Sequence, residues 1–198
     1  MKHDLYINGK WEEGEGEAFS SKTPDENKTL WSGNNASFSQ LEKAINRAHK
    51  SFEKWRLTPI EKRMEVIHRY RDILEDNKDS ISKTISRETG KPLWESQSEV
   101  GAMINKVSIS ERAYHDRTPQ MHSLPNSLRH IAHGVFAVFG PYNFPVHLPN
   151  GHMVPALIAG NCVILKPSGL TPLCASLITQ AWDEAGIPPG VFNLIHGD

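Results

Sequence analysis

Apolar positions recur at two different periods along this chain. Between residues 39 and 114 the spacing is helical. Ser39-Gln-Leu-Glu42 reads as a capping box opening a helix whose face carries Leu41, Ala44, Ile45, Ala48, Phe52 and Trp55. Thr58-Pro-Ile-Glu61 reads as a second box, with Pro59 at the first helical position and a stripe of Ile60, Met64, Ile67 and Leu74. A third helix is predicted over 79–89, stopped by Gly90 and Pro92, and a fourth over 93–114, with Val100, Met103, Ile104 and Val107. These stripes are read as core. Ahead of them, Leu5-Tyr-Ile-Asn-Gly-Lys-Trp11 predicts a strand entering a turn at Asn8-Gly9. Residues 12–36 are rich in Gly, Glu, Asn and Ser and read as loop with room for one more edge strand.

Residues 115–132 lose the helical period, and Pro119 and Pro125 exclude a helix interior there. The stretch is an arm or hairpin leaving the domain, or an ordinary surface loop. From Gly134 the period changes again. Strand Val135–Phe139, a helical segment to Gly160, strand Cys162–Leu165, a helix from Thr171-Pro172 to Gly186, and strand Val191–Ile195 follow in order. This β-α-β-α-β run predicts an α/β fold, half of a doubly wound parallel sheet. Pro145 fits a first helical turn, whereas Pro149 and Pro155 should kink or interrupt the helix. A parallel sheet stopped at His196-Gly-Asp198 would expose a hydrogen-bonding edge, so a truncated chain is expected.

Composition narrows the function classes. The 198 residues are 38% hydrophobic with net charge -1, which gives no bulk attraction to nucleic acid or to an anionic membrane. No apolar run is long enough to span a bilayer. Two cysteines make no disulfide framework, and a reducing cytoplasm is the default expectation.

Candidate chemistry gathers at strand ends. Gly140-Pro-Tyr-Asn-Phe-Pro145 follows the first strand of the β-α-β run, where open α/β sheets place ligands. It is a polar turn, or a turn whose Asn143 amide donates to an oxygen gaining negative charge. Lys166 ends the second strand, as a solvated lysine or as a donor to ribose hydroxyls or phosphate. No Walker A loop or Gly-x-Gly-x-x-Gly follows the first strand, which argues against an ordinary Rossmann dehydrogenase. His130, His133, His147 and His152 lack acidic or thiol partners at ligand spacing, so no metal site is expected. Cys162 reads as a buried hydrophobe. Cys174 follows a helix cap, which can lower a thiol pKa, but has no nearby base in sequence.

On Gly140–Pro145 and Lys166-Pro-Ser168 the chain resembles the aldehyde dehydrogenase superfamily. Tyr6–Trp11, Glu88-Thr-Gly-Lys-Pro92, Gly160-Asn161 and Gly186-Ile-Pro-Pro-Gly-Val-Phe-Asn193 extend the resemblance in family order along nearly the whole chain. Tyr142, Pro145–His152, Met103–Ser110 and Ala113–Thr118 narrow it to a branch that oxidises an acidic semialdehyde in arginine catabolism.

The resemblance implies NAD(P)-dependent oxidation of a small-molecule aldehyde to a carboxylate, with NAD as cofactor and NADP as the alternative. A cysteine attacks the aldehyde, hydride leaves to nicotinamide, and a glutamate activates water. It implies that Asn143 is the catalytic side-chain donor of the oxyanion hole, that Lys166 contacts the adenosine ribose, and that Pro141, Tyr142 and Ser168 line the cofactor path. Residues 1–114 would form the amino-terminal hairpin and helical part, 115–132 an oligomerisation arm serving a homo-oligomer, and 133–198 part of the cofactor-binding sheet. Two departures stand out. Gly169 replaces the family's usual ribose-binding Glu. The family's nucleophile and general base also lie downstream of residue 198, and neither Cys162 nor Cys174 matches. The chain alone is therefore expected not to oxidise aldehydes. The alternatives are a dehydrogenase for another acidic aldehyde, or a non-catalytic nucleotide-binding or interaction module.

Overall fold

The computed structural model describes residues 4–119, 121–123 and 126–197; Pro125 of the expected arm and Asp198 lie outside them. The chain opens with a hairpin, β1 (Leu5–Ile7) and β2 (Lys10–Glu12). Its turn is the one expected, with Asn8 at φ 55° and Gly9 at φ 76°, the positive values a tight hairpin needs. The next stretch holds two strands, not the one allowed for. β3 (Ala18–Lys22) and β4 (Thr29–Asn34) form a separate antiparallel ribbon.

Four helices follow: α1 (Phe38–Trp55), α2 (Ile60–Asp76), α3 (Lys78–Thr89) and α4 (Leu93–Arg117). The cap of α1 lies two residues upstream of the expected one. Ser37 Oγ accepts from Gln40 N at 3.2 Å, and Gln40 Oε1 accepts from Ser37 N at 3.0 Å. Gln40 is also claimed by Glu15 N and Glu13 O, and this tertiary anchoring chooses between two overlapping boxes. The box expected at Thr58 does not form: Pro59 stands at the cap position with no side-chain cap bond, and Thr58 Oγ1 donates back to Lys54 O at 3.0 Å. The helix α4 runs to Arg117, three residues past its expected end. The arm begins later, with β5 (Met121–Ser123) and β6 (Asn126–Leu128) paired as an antiparallel hairpin.

The alternating region matches its expected order: β7 (Val135–Phe139), α5 (His147–Ile158), β8 (Cys162–Lys166), α6 (Pro172–Glu184) and β9 (Phe192–Leu194). The helix α5 is not interrupted at either proline. Pro149 lies in its first turn, where the backbone N–H has no helical acceptor anyway. Pro155 is accommodated in the interior. The strands β7, β8 and β9 pair in parallel. The edge expected to be open at β9 is covered, since β1 adds antiparallel with Tyr6 opposite Leu194. The sheet order is β2-β1-β9-β8-β7, with β7 at the edge on the parallel side among the described residues.

Most of the predicted stripe residues are buried; Leu41, Phe52 and Ile60 are partly buried against the core, and Ile45, read as core, is exposed. Ala44, Ala48 and Trp55 of α1, Met64, Ile67 and Leu74 of α2, and Val100, Met103, Ile104 and Val107 of α4 join one core with β8 and β9. Tyr70 of α2 and Trp182 of α6 stack at its centre, 3.6 Å between ring centroids and 6° between planes. Burial of this much apolar surface is the main stabilising term.

Candidate functional site

The carboxyl ends of β7, β8 and β9 lie side by side. Gly140 N donates to Lys166 O at 2.9 Å, which ties the turn after β7 to the end of β8. Gly140 sits where a side chain would be crowded. A Cβ there would meet Pro149 Cγ at 3.0 Å and the Pro167 backbone at 3.4 Å.

Beside these ends lies a groove of about 560 Å³. Phe139, Ile164 and Lys166 form its floor with Ile195 and His196, and Phe38 and Ile45 of α1 form a wall. Of the predicted site residues, Lys166 lines this groove. Pro141, Tyr142, Asn143 and Ser168 do not line it. They occupy the two turns that flank it. Ser168 Oγ accepts from Leu170 N at 3.2 Å and Ser168 O from Thr171 N at 3.1 Å, so this residue shapes the entry to α6. Gly169 beside it is exposed, and a Cβ there would meet nothing within 4 Å.

Asn143 is exposed, and among the described residues its carboxamide makes no hydrogen bond. Its position is set by neighbours. Lys91 Nζ stands 3.8 Å from the centroid of the adjacent Phe144 ring. Lys91 also pairs with Glu99 at 2.7 Å, and Glu99 Oε1 accepts from Val146 N at 3.2 Å and His147 N at 3.3 Å. The Glu99 side chain is fully buried. It therefore caps α5 from α4, at the end where a helix favours negative charge. Glu88 does the same for α6, accepting from Leu173 N at 2.9 Å and Cys174 N at 2.8 Å while Ser21 Oγ donates to it at 2.7 Å.

From the sequence, Glu88 and Lys91 entered only as parts of the Glu88–Pro92 helix end, and Glu99 was not singled out. A signal was there: Glu88 continues the Ile81 and Ile85 stripe of α3, and Glu99 precedes Val100 and Met103 on the buried face of α4. A carboxylate on an apolar stripe needs buried donors.

His196 packs against Phe19 and Trp31, with ring centroids at 5.4 and 5.1 Å. Neither of its ring nitrogens has a partner among the described residues. Burial, and next the Lys166 charge, pull its pKa down to about 4, so the ring is neutral near pH 7. Burial pushes the Cys162 thiol up to about 12. Burial, then the Glu88 carboxylate, hold the Cys174 thiol well above its ordinary value. The helix start that could have lowered Cys174 is overridden, because its amides are already satisfied by an anion. Both thiols stay protonated near neutral pH, in line with their reading as structural. Among the described residues no group of three His, Cys, Asp or Glu side chains could hold a metal. No described helix is long and apolar enough to cross a membrane.

Comparison with known proteins adds to this geometry. A family model described as the aldehyde dehydrogenase family matches residues 11–198. The N-succinylglutamate 5-semialdehyde dehydrogenase of Enterobacter sp. (strain 638) is 50% identical over 197 residues, covering 98% of this chain and 40% of the relative. That of Escherichia coli (strain SE11) is 49% identical over the same length and the same shares. This chain thus spans about 40% of the length of the curated relatives it matches. Among solved structures, aldehyde dehydrogenase C from Pseudomonas syringae, complexed with NAD+ and octanal, superposes with a TM-score of 0.94 at 28% identity, covering 100% of this chain and 41% of that one.

Proposed function

The chain belongs to the aldehyde dehydrogenase family, and from that premise we propose that it is the amino-terminal part of an NAD(P)-dependent N-succinylglutamate 5-semialdehyde dehydrogenase of arginine catabolism. The observation that carries the reading is Asn143: a neutral amide, exposed and unpaired among the described residues, on a turn fixed from beneath by a buried ion pair. The identity to the two named relatives supports the choice of substrate.

In this reading Asn143 Nδ2 donates to the aldehyde oxygen, and more strongly as that oxygen gains charge. A donor already held in place needs little reorganisation, which is how such groups lower a barrier. Lys166 offers its ammonium to ribose hydroxyls or phosphate. The groove suits a dinucleotide, since no carboxylate pairs with Lys166 among the described residues and the Gly169 turn leaves space beside it. A nicotinamide cofactor, when bound, supplies the hydride acceptor. Gly169 removes an acceptor for the ribose and weakens preference for NAD over NADP. Cys162 and Cys174 are buried and protonated, so this chain alone does not turn aldehydes over. The β5–β6 hairpin, followed by exposed Ile131, serves a homo-oligomer.

The test is an assay of NAD(P) reduction with N-succinylglutamate 5-semialdehyde, using the intact protein that carries this chain and, separately, the 198-residue chain. Turnover by the former and dinucleotide binding without turnover by the latter is the expected result. Turnover by the short chain would overturn its assigned role, and no turnover by the intact protein would overturn the activity.

A further inference from the structure

The helices α4 and α5 run in the same direction and are locked in register. Glu99 meets the amides of Val146 and His147; further along, Asn150 Nδ2 donates to Met103 O at 2.9 Å, with Tyr70 OH donating to Asn150 Oδ1 at 3.0 Å. At the next level Lys106 lies against Gly151. A Cβ on Gly151 would stand 3.5 Å from Lys106 Cε and 3.9 Å from its Nζ, ordinary contact distances, so the end of the lysine side chain lies over this glycine. Side chains on a helix lean toward its amino end, which directs Lys106 back toward His147, one turn of α5 before Gly151.

The local charges do not balance. Glu99 is already occupied by Lys91 and two amides. Lys106 is half-buried and, among the described residues, has no carboxylate partner. His147 Nδ1 is buried with no hydrogen-bond partner among the described residues. An unpaired ammonium beside an unpaired buried ring nitrogen, next to the turn that presents Asn143, lacks one component: an anion.

We propose that Lys106 and His147 form a subsite for a carboxylate carried by the aldehyde, and that this subsite selects acidic aldehydes over neutral ones. The subsite rests on the reading of Asn143 as the carbonyl's donor. Lys106 supplies the charge and His147 a directed hydrogen bond. The pKa of His147 is lowered by burial first, then by Lys106 and Lys91 against the opposing Glu99, so the ring is neutral near pH 7. A bound carboxylate would pull it back up.

The experiment compares 5-oxopentanoate with pentanal in the intact protein that carries this chain, as wild type, Lys106→Met and Lys106→Arg. In Lys106→Met the ratio of kcat/KM for the acid over pentanal should fall on the order of tenfold to a hundredfold, through KM, as expected for one charge-assisted hydrogen bond. Lys106→Arg should restore most of the ratio. An unchanged ratio in Lys106→Met would overturn the subsite.

A second readout needs no turnover. Glutarate should shift the His147 imidazole resonance saturably in the wild type and not in Lys106→Met; no shift in the wild type would overturn the subsite. Glutarate binding in a protein that oxidises neither aldehyde would leave the anion subsite standing and overturn the dehydrogenase reading instead.

Discussion

Two neighbouring turns lead from strand ends into helices, and both are closed by the same device. The turn after β7 ends on Val146 and His147, whose amides donate to Glu99; the turn after β8 ends on Leu173 and Cys174, whose amides donate to Glu88. Neither helix starts with a side-chain cap of its own. The difference is what stands behind each carboxylate. Glu99 is paired with Lys91, which also covers the ring beside Asn143. Glu88 has no basic partner among the described residues; Ser21 donates to it instead, joining the β3–β4 ribbon to α6. One anchor carries a chemical group and the other joins structural layers. Capping a helix from outside leaves the turn's own side chains open to a ligand.

The largest expected effect separates the two anchors directly. Glu99→Gln leaves the Lys91 ammonium, with its side chain 12% exposed, without its closest anion, and should cost about 3–5 kcal/mol in denaturant unfolding. Asn143→Ala tests the turn rather than its anchor. In the intact protein that carries this chain, turnover should fall on the order of a hundredfold to a thousandfold while stability moves by less than about 0.5 kcal/mol. Equal losses of stability in these two variants would mean that the turn and its anchor are not separable.

The third strand end responds to pH. His196 titrates near 6.5 when unfolded and about 4 when folded, so its contribution is complete above pH 6.5 and is lost as the pH falls toward 4. The loss is on the order of 3 kcal/mol, and His196→Phe should remove that part of the slope of Tm against pH. Glu88→Gln strands no cation, so it should cost only about 1–2 kcal/mol in the same unfolding experiment. The smallest effect is at Gly169, where Gly169→Glu should tighten NAD binding severalfold, about 1 kcal/mol, measured by calorimetry in the intact protein. An unchanged Kd would mean that this turn does not face the ribose.

Much of this was readable from spacing alone. The stripes of α1, α2 and α4 lie where periodicity put them, with Ile45 on the groove side as the exception, and the strand-helix alternation after Gly134 holds. What failed depended on partners distant in sequence. Ser37 and Ser39 each begin an acceptable box, and contacts from residues 13 and 15 to Gln40 decide between them. Thr58 prefers the carbonyl of Lys54 to a cap. The covered edge of β9 could not be read from the β-α-β run, because its partner strand is at the other end of the chain. Asn143 and Lys166 stood out as polar residues at strand ends. The pairing of Lys91 with Glu99 did not, since a buried ion pair looks like two ordinary surface charges until the stripe beneath them is noticed.

That distant partner has a consequence in time. Asn8 N donates to Asn193 Oδ1 across a sequence separation of 185 residues, and β1 pairs with β9 beside it. A chain made from its amino end at roughly 5–20 residues per second leaves β1 waiting on the order of ten to forty seconds for its neighbour. For that interval an apolar strand, buried once folded, has no sheet to join. Its prompt pairing with β2 through the Asn8-Gly9 turn keeps one of its edges occupied during synthesis.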